Sequence, residues 1–182
     1  MKSLAARVYA CAHLTGEFLL RSGATSTEYF DKYLFEADPA LLKEIAEQLA
    51  PLVPADTETL AGLELGGVPL VTMLSQVTGL PAAFVRKRAK EYGTRRLAEG
   101  ADVTGRRLAV VEDVVTSGGQ VIASCADLRA LGADVSKVLC VIDREQGGRE
   151  RLAVEGLELS PLFTWAELAR LAPGDHLSGR PN

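Results

Sequence analysis

Residues 108–120 read LAVVEDVVTSGGQ. Leu108–Val111 is an apolar run of the kind that fills a buried strand. It runs into two adjacent acids, Glu112 and Asp113. Val114 and Val115 follow, and then Thr116, Ser117, Gly118, Gly119 and Gln120 lead into a helical pattern. A buried strand therefore ends in a carboxylate pair, and a small hydroxyl- and glycine-rich loop opens a helix. Such a loop suits a phosphate, because the first amides of a helix lack intrahelical partners and carry its positive end. The acids suit sugar hydroxyls, because ionised carboxylates only accept hydrogen bonds. A phosphate cradle one turn from a hydroxyl-binding acid pair describes a site for ribose 5-phosphate. The plainer alternative is a strand–turn–helix whose acids are solvated or bind a metal. Nucleoside triphosphatases also end an apolar strand in Asp, but this chain lacks a G-x-x-x-x-G-K-[ST] loop.

The chain of 182 residues fits one domain. Hydrophobic residues make up 47% and charged residues 24%, which supports a large core and excludes extended disorder. The net charge of −4 argues against nucleic acid as a partner. Cys11, Cys125 and Cys140 are widely spaced and odd in number. They read as thiols of a reducing compartment rather than disulfide partners or metal ligands. His13 and His176 offer no metal-site spacing, and no metal ligands are assigned. Leu4, Val8, Cys11 and Ala12 fall at helical spacing, with Arg7 interrupting any leader-like core, and no run is long enough to cross a bilayer. The expectation is a cytoplasmic protein with no membrane partner.

Outward from the central stretch, strands and helices alternate. A first helix is expected over about 3–15, stopping at Gly16, and a short strand over Phe18–Leu20. Asp38-Pro39 starts a helix with Leu41, Leu42, Ile45 and Leu49 on its buried stripe. Leu60–Gly62 reads as a strand, and Gly66-Gly67 open a helix through Val71 and Leu74 that Gly79 closes. Ala82–Val85 is a strand, 87–105 a long loop or ribbon, 107–112 a strand, and about 118–131 a helix stopped by Gly132. Val138–Ile142 is another strand, 143–151 is polar, and Thr164 with Glu167 forms a capping box for a last helix. This alternation predicts an α/β fold: a mostly parallel twisted sheet with helices on both faces. Ligands on such sheets sit at the carboxyl ends of the strands. The loops beginning near Gly62, Arg86, Glu112 and Asp143 should therefore converge.

Each loop carries a motif. FVRKRAKEYG (84–93) places Arg86, Lys87, Arg88 and Lys90 just after a strand. A charge run is usually a solvated face, but cations on a long loop also suit a polyphosphate. In AGLELGGVPL (61–70), Gly66 and Gly67 let backbone amides approach an anion at a helix start. In CVIDREQGG (140–148), Arg144 suits a planar carboxylate, although an Asp143–Arg144 surface pair is the commoner fate. FLLRSGATSTEYFD (18–31) offers a cation, an aromatic face and polar groups, or else a surface turn with a packed tyrosine.

Together, and in this order, these stretches resemble the type I phosphoribosyltransferases, and the orotate phosphoribosyltransferases among them, over about Phe18–Leu168. The central stretch is similar to the family's binding motif for 5-phosphoribosyl 1-pyrophosphate (PRPP). FVRKRAKEYG resembles the loop R-K-x-x-K-x-H-G, with Tyr92 at the histidine position. FLLRSGATSTEYFD resembles L-K/R-S-G-x-x-S-x-Y-Y/F, and TWAEL (164–168) resembles T-L-x-D/E-L. The family's lysine beside the glycines has no counterpart at Leu65-Gly66.

The resemblance implies the type I phosphoribosyltransferase fold as a single domain over 1–182, with a small hood from about 1–35 and 152–182. It implies transfer of the 5-phosphoribosyl group from PRPP to orotate, giving orotidine 5′-monophosphate and pyrophosphate. Lys90, Glu112 and Asp113 would be catalytic. Arg86, Lys87 and Lys90, Gly66 and Gly67, and Glu112 through Gln120 (including Val114, Val115, Thr116, Ser117, Gly118 and Gly119) would bind PRPP. Arg21, Ser26, Tyr29, Phe30, Thr116 and Arg144 would bind orotate. Mg²⁺ would arrive chiefly on PRPP or pyrophosphate. The resemblance also implies a homodimer in which the 88–102 loop reaches the neighbouring site. Two other readings stay open: a phosphoribosyltransferase for another nucleobase, and a non-catalytic regulator that senses PRPP or nucleotides on the same fold.

Overall fold

The computed structural model describes residues 2–19, 23–89 and 96–171. Helix α1 (Leu4–Ala12) starts at Ser3, whose hydroxyl accepts from the Ala6 N–H, and buries Leu4, Val8, Tyr9 and Ala12. It ends sooner than the apolar spacing predicts. The chain is extended from His13, and Gly16 lies inside strand β1 (His13–Leu19) rather than at a helix stop. The cause is a partner: β1 pairs antiparallel with β2 (Thr25–Phe30), and the ladder takes up backbone groups that the helix would have used. Asp31 caps α2 (Lys32–Ala37). Asp38 caps α3 (Pro39–Leu49), with Pro39 in the first turn, as expected. Leu41, Ile45 and Leu49 are buried on α3, while Leu42 is only partly so.

The remaining elements are β3 (Thr59–Leu63), α4 (Gly67–Thr78), β4 (Ala82–Val85), β5 (Ala98–Gly100), β6 (Arg107–Val115), α5 (Gly119–Ala130), β7 (Asp134–Asp143), α6 (Gly148–Val154), β8 (Glu158–Thr164) and α7 (Trp165–Ala169). The six-stranded sheet runs β5-β4-β3-β6-β7-β8, parallel throughout except for β5 against β4. Helices cover both faces. Leu60, Val111 and Leu139 point into a core with Val8, Phe35, Ile45, Leu70 and Leu168. Ala61, Val110 and Cys140 point into the opposite core with Val121, Cys125, Leu128 and Leu152. The expected α/β class, mostly parallel sheet and two covered faces are all present.

Four details differ from the sequence reading. The 87–105 stretch contains β5. The polar stretch after β7 enters α6. Strand β6 continues to Val115, so Glu112 and Asp113 sit inside the strand and not beyond its end. Residues 158–164, assigned to the hood, form the edge strand β8; Pro161 is tolerated because an edge strand has one unpaired side.

All three cysteines are free thiols. Burial pushes the Cys125 thiol up to about 12 and the Cys140 thiol well up, so both stay protonated and inert. Among the described residues no helix is long and apolar enough to cross a membrane.

Candidate active site

The carboxyl ends of β3, β4, β6 and β7 lie along one edge of the sheet. There the chain forms a cleft of about 790 Å³. Lys87, every residue from Glu112 to Gln120, and Phe30 and Arg144 line it, so predictions from four separate stretches meet. Lys32, Tyr33, Glu64, Leu65 and Gln146 also line it and were not singled out in the sequence.

The two acids occupy different surroundings. Asp113 is wholly buried. The Lys32 ammonium, reaching across from α2, forms an ion pair with its Oδ2, and the Val114 N–H donates to its Oδ1. Glu112 Oε1 accepts from the Asp113 N–H at 3.1 Å. Burial, and next the charge of Asp113, hold the Glu112 carboxyl well above the usual carboxylate range. Glu36, on the same face of α2 as Lys32, is also buried. Burial and then Asp113 push its carboxyl up to about 8. Its Oε1 has no hydrogen-bond donor in the protein. Burial pulls the Lys32 ammonium down, but its bond to Asp113 and the charges of Asp113 and Glu112 outweigh this and raise it. The two acids therefore differ: Asp113 is buried and ion-paired with Lys32, whereas the Glu112 carboxyl is raised.

The phosphate-suited loop is built as the sequence indicates. Gly118 has φ +74°, a left-handed conformation that an L side chain resists, and an added Cβ would lie 3.3 Å from Gly148 O. No side chain caps α5. The bond from Ile122 N–H to Gly118 O, 2.9 Å, is the first of the helix, and the amides before it belong to residues lining the cleft. Uncapped first-turn amides are the donors an anion uses.

On the other wall, the Arg144 guanidinium carbon lies 3.7 Å from the centre of the Trp165 ring. Burial lowers the Arg144 pKa. The Asp143–Arg144 surface pair does not form: Asp143 accepts from the Glu145 N–H and faces Arg149 at 3.4 Å. Phe30 meets Trp165 edge to face at 5.4 Å. Ser26 and Tyr29 lie on the hairpin instead, and neither lines the cleft. Ser26 bonds the Glu28 backbone and Tyr29 stacks on Phe18. Arg21 lies outside the described residues, as do Lys90, Tyr92 and His176.

Arg86 faces a neighbouring hollow with Val68, Phe84 and Glu99, not the main cleft. Gly66 and Gly67 follow the cleft-lining Glu64 and Leu65 and lie against β6. A Cβ on Gly66 would fall 1.4 Å from Asp113 Oδ2, and one on Gly67 2.4 Å from Val111 O. Their observed role is to let the start of α4 close on β6. Among the described residues no three of His, Cys, Asp and Glu converge as a metal cage.

Lys32 and Glu36 are the main residues that sequence reasoning missed. Their signal was available: an Asp31 cap followed by a cation and an acid four residues apart.

Residues 35–169 match the family model of the phosphoribosyl transferase domain. An orotate phosphoribosyltransferase of Nocardioides sp. is 57% identical over 166 residues, covering 91% of this chain and 93% of its own. Another, of Methanocella arvoryzae, is 44% identical over 87% of this chain and 90% of its own. The crystal structure of Mycobacterium tuberculosis H37Rv orotate phosphoribosyltransferase in complex with PRPP aligns with a TM-score of 0.79 at 28% identity, covering 91% of this chain and 96% of that one.

Proposed function

The chain belongs to the orotate phosphoribosyltransferase family and transfers the 5-phosphoribosyl group from PRPP to orotate, and we propose that it does so in the cleft at the carboxyl edge of the sheet. One observation carries the assignment of the site. Uncapped amides of α5, the Glu112–Asp113 pair and an Arg144 guanidinium without a carboxylate partner among the described residues line one cavity.

The reaction breaks the bond from ribose C1 to pyrophosphate and forms one from C1 to a ring nitrogen of orotate. Positive charge develops on the sugar and negative charge on the leaving group. Catalysis therefore rests on electrostatics and alignment. The Thr116–Gln120 loop holds the 5-phosphate, Glu112 and Asp113 take the ribose hydroxyls, and Arg144 takes the orotate carboxylate beside Phe30. Lys87 and Lys90 receive the pyrophosphate, and Arg86 joins them from its adjoining hollow. The ring nitrogen of orotate carries the nucleophilic charge, so no strong general base is required. Among the described residues no acidic cage is formed, so Mg²⁺ would be carried chiefly on PRPP or pyrophosphate. Bound that way, it would supply positive charge to the departing pyrophosphate. We also propose a homodimer whose 88–102 loop reaches the neighbouring site, a hood drawn from about residues 1–35 and the parts of 152–182 outside β8, and a cytoplasmic location in keeping with three free thiols.

The test is steady-state pyrophosphate release with PRPP and orotate, with adenine and hypoxanthine as competing bases. Release with orotate alone among the three is expected. Lys90→Ala should lose at least ~10² in rate, the scale of removing one preorganised charge. Release with a purine but not orotate would overturn the reading, and an unchanged rate would remove Lys90 from it.

A further inference from the structure

We infer that Trp165 is a specificity-determining positioning residue, which holds the Arg144 guanidinium in the plane where it receives the carboxylate of orotate. The inference rests on the reading of Arg144 as the base-binding cation.

Trp165 does not line the cleft, whereas Arg144 and Phe30 do. It reaches the site through both. The Arg144 guanidinium lies over its ring at 3.7 Å, within stacking range, and Phe30 meets the same ring at 5.4 Å and 89°. Among the described residues no carboxylate is ion-paired with Arg144, because the adjacent Asp143 is committed to Arg149. The backbone beneath is fixed too. Arg144 N–H donates to Val115 O at 2.8 Å, which ties it to the end of β6. Glu145 has φ +55°, its N–H donates to Asp143 Oδ1 at 2.9 Å, and its Oε2 accepts from Ala166 N–H at 2.7 Å. That last bond joins the Arg144 loop to the helical turn carrying Trp165. The turn itself is held by the Thr164–Glu167 capping box.

A free arginine surrenders rotamer freedom when it binds. One already stacked has surrendered it beforehand, which raises affinity for a planar carboxylate without touching it. A purine has no carboxylate to use this device. The stack therefore acts on choice of base and not on PRPP.

Two variants and one measurement test this. Trp165→Leu keeps an apolar side chain but removes the aromatic face. It should raise KM for orotate about five- to tenfold and leave kcat and KM for PRPP within about twofold. Trp165→Phe should restore KM for orotate to within about threefold of wild type. An unchanged KM for orotate in Trp165→Leu, or an equal rise for both substrates, overturns the inference. Trp165 is the chain's single tryptophan, so wild-type emission covers the case in which the leucine variant fails to fold. Orotate should change that emission with the Kd found by calorimetry; binding without any change overturns the inference. Arg144→Ala separates the two levels. Undiminished orotate affinity there sinks the reading of Arg144, whereas loss in Arg144→Ala without loss in Trp165→Leu sinks only the role of Trp165.

Discussion

Replacing Glu36 by Gln should make the protein more stable in alkali than the wild type, and the reason is the proton that Glu36 keeps. Its carboxyl is pushed from 4.5 to about 8, first by burial and next by Asp113. Besides Asp113, Lys32 and Asp31 act on it from α2 and its cap. Glu112 acts on Lys32 and Asp113 in the same cluster, while Arg7 of α1 and Glu44 of α3 are paired with each other. The folded value lies above the unfolded one, so between the two the unfolded chain releases a proton that the folded chain retains. Stability is then fully present below about pH 4.5 and falls as pH rises through about 8. The rise corresponds to a ceiling of about 5 kcal/mol, since each pH unit is worth about 1.4 kcal/mol and three carboxylates share the effect. Glutamine keeps the shape and the donor of the protonated acid but does not titrate. Urea unfolding at acid, neutral and alkaline pH, followed by Trp165 emission, should show the two proteins nearly equal in acid. Glu36→Gln should lead in alkali by an amount that grows with pH and stays well below that ceiling, on the order of 1–3 kcal/mol. A difference that does not vary with pH would refute the argument.

Three further substitutions probe the scaffold. Gly66→Ala puts a methyl group 1.4 Å from Asp113 Oδ2, so strand or helix must move; unfolding should show a loss of about 1–3 kcal/mol, whereas Gly119→Ala, with nothing within 4 Å, should stay within about 1 kcal/mol. Thr164→Ala removes the hydroxyl that accepts from Glu167 N–H at 3.3 Å and should cost about 0.5–2 kcal/mol by the same assay.

What the sequence disclosed was whatever a short stretch determines by itself. The Asp38-Pro39 cap, the glycine-opened helices and the strand–loop–helix around Asp113 all depend on neighbours a few residues away. What it concealed depends on distant partners. Helix α1 stops early because β2 supplies a ladder. Strand β8 carries Pro161, which a strand admits only where one side is unpaired, and the sheet edge is set by distant pairing. The glycines before α4 read as an anion loop, yet their tight contacts are with β6. The same limit governs the charge of the site. Two neighbouring acids suggest a strongly negative strand end, which would repel a polyphosphate. The fold instead sets Lys32 against Asp113, and it raises the Glu112 and Glu36 carboxyls. The ion pair and the raised carboxyls both lessen the negative charge at the strand end. This is how an acid pair can sit beside a phosphate loop without opposing its ligand. The cancelling cation comes from a six-residue helix whose charges acquire meaning only once α2 has folded against β6.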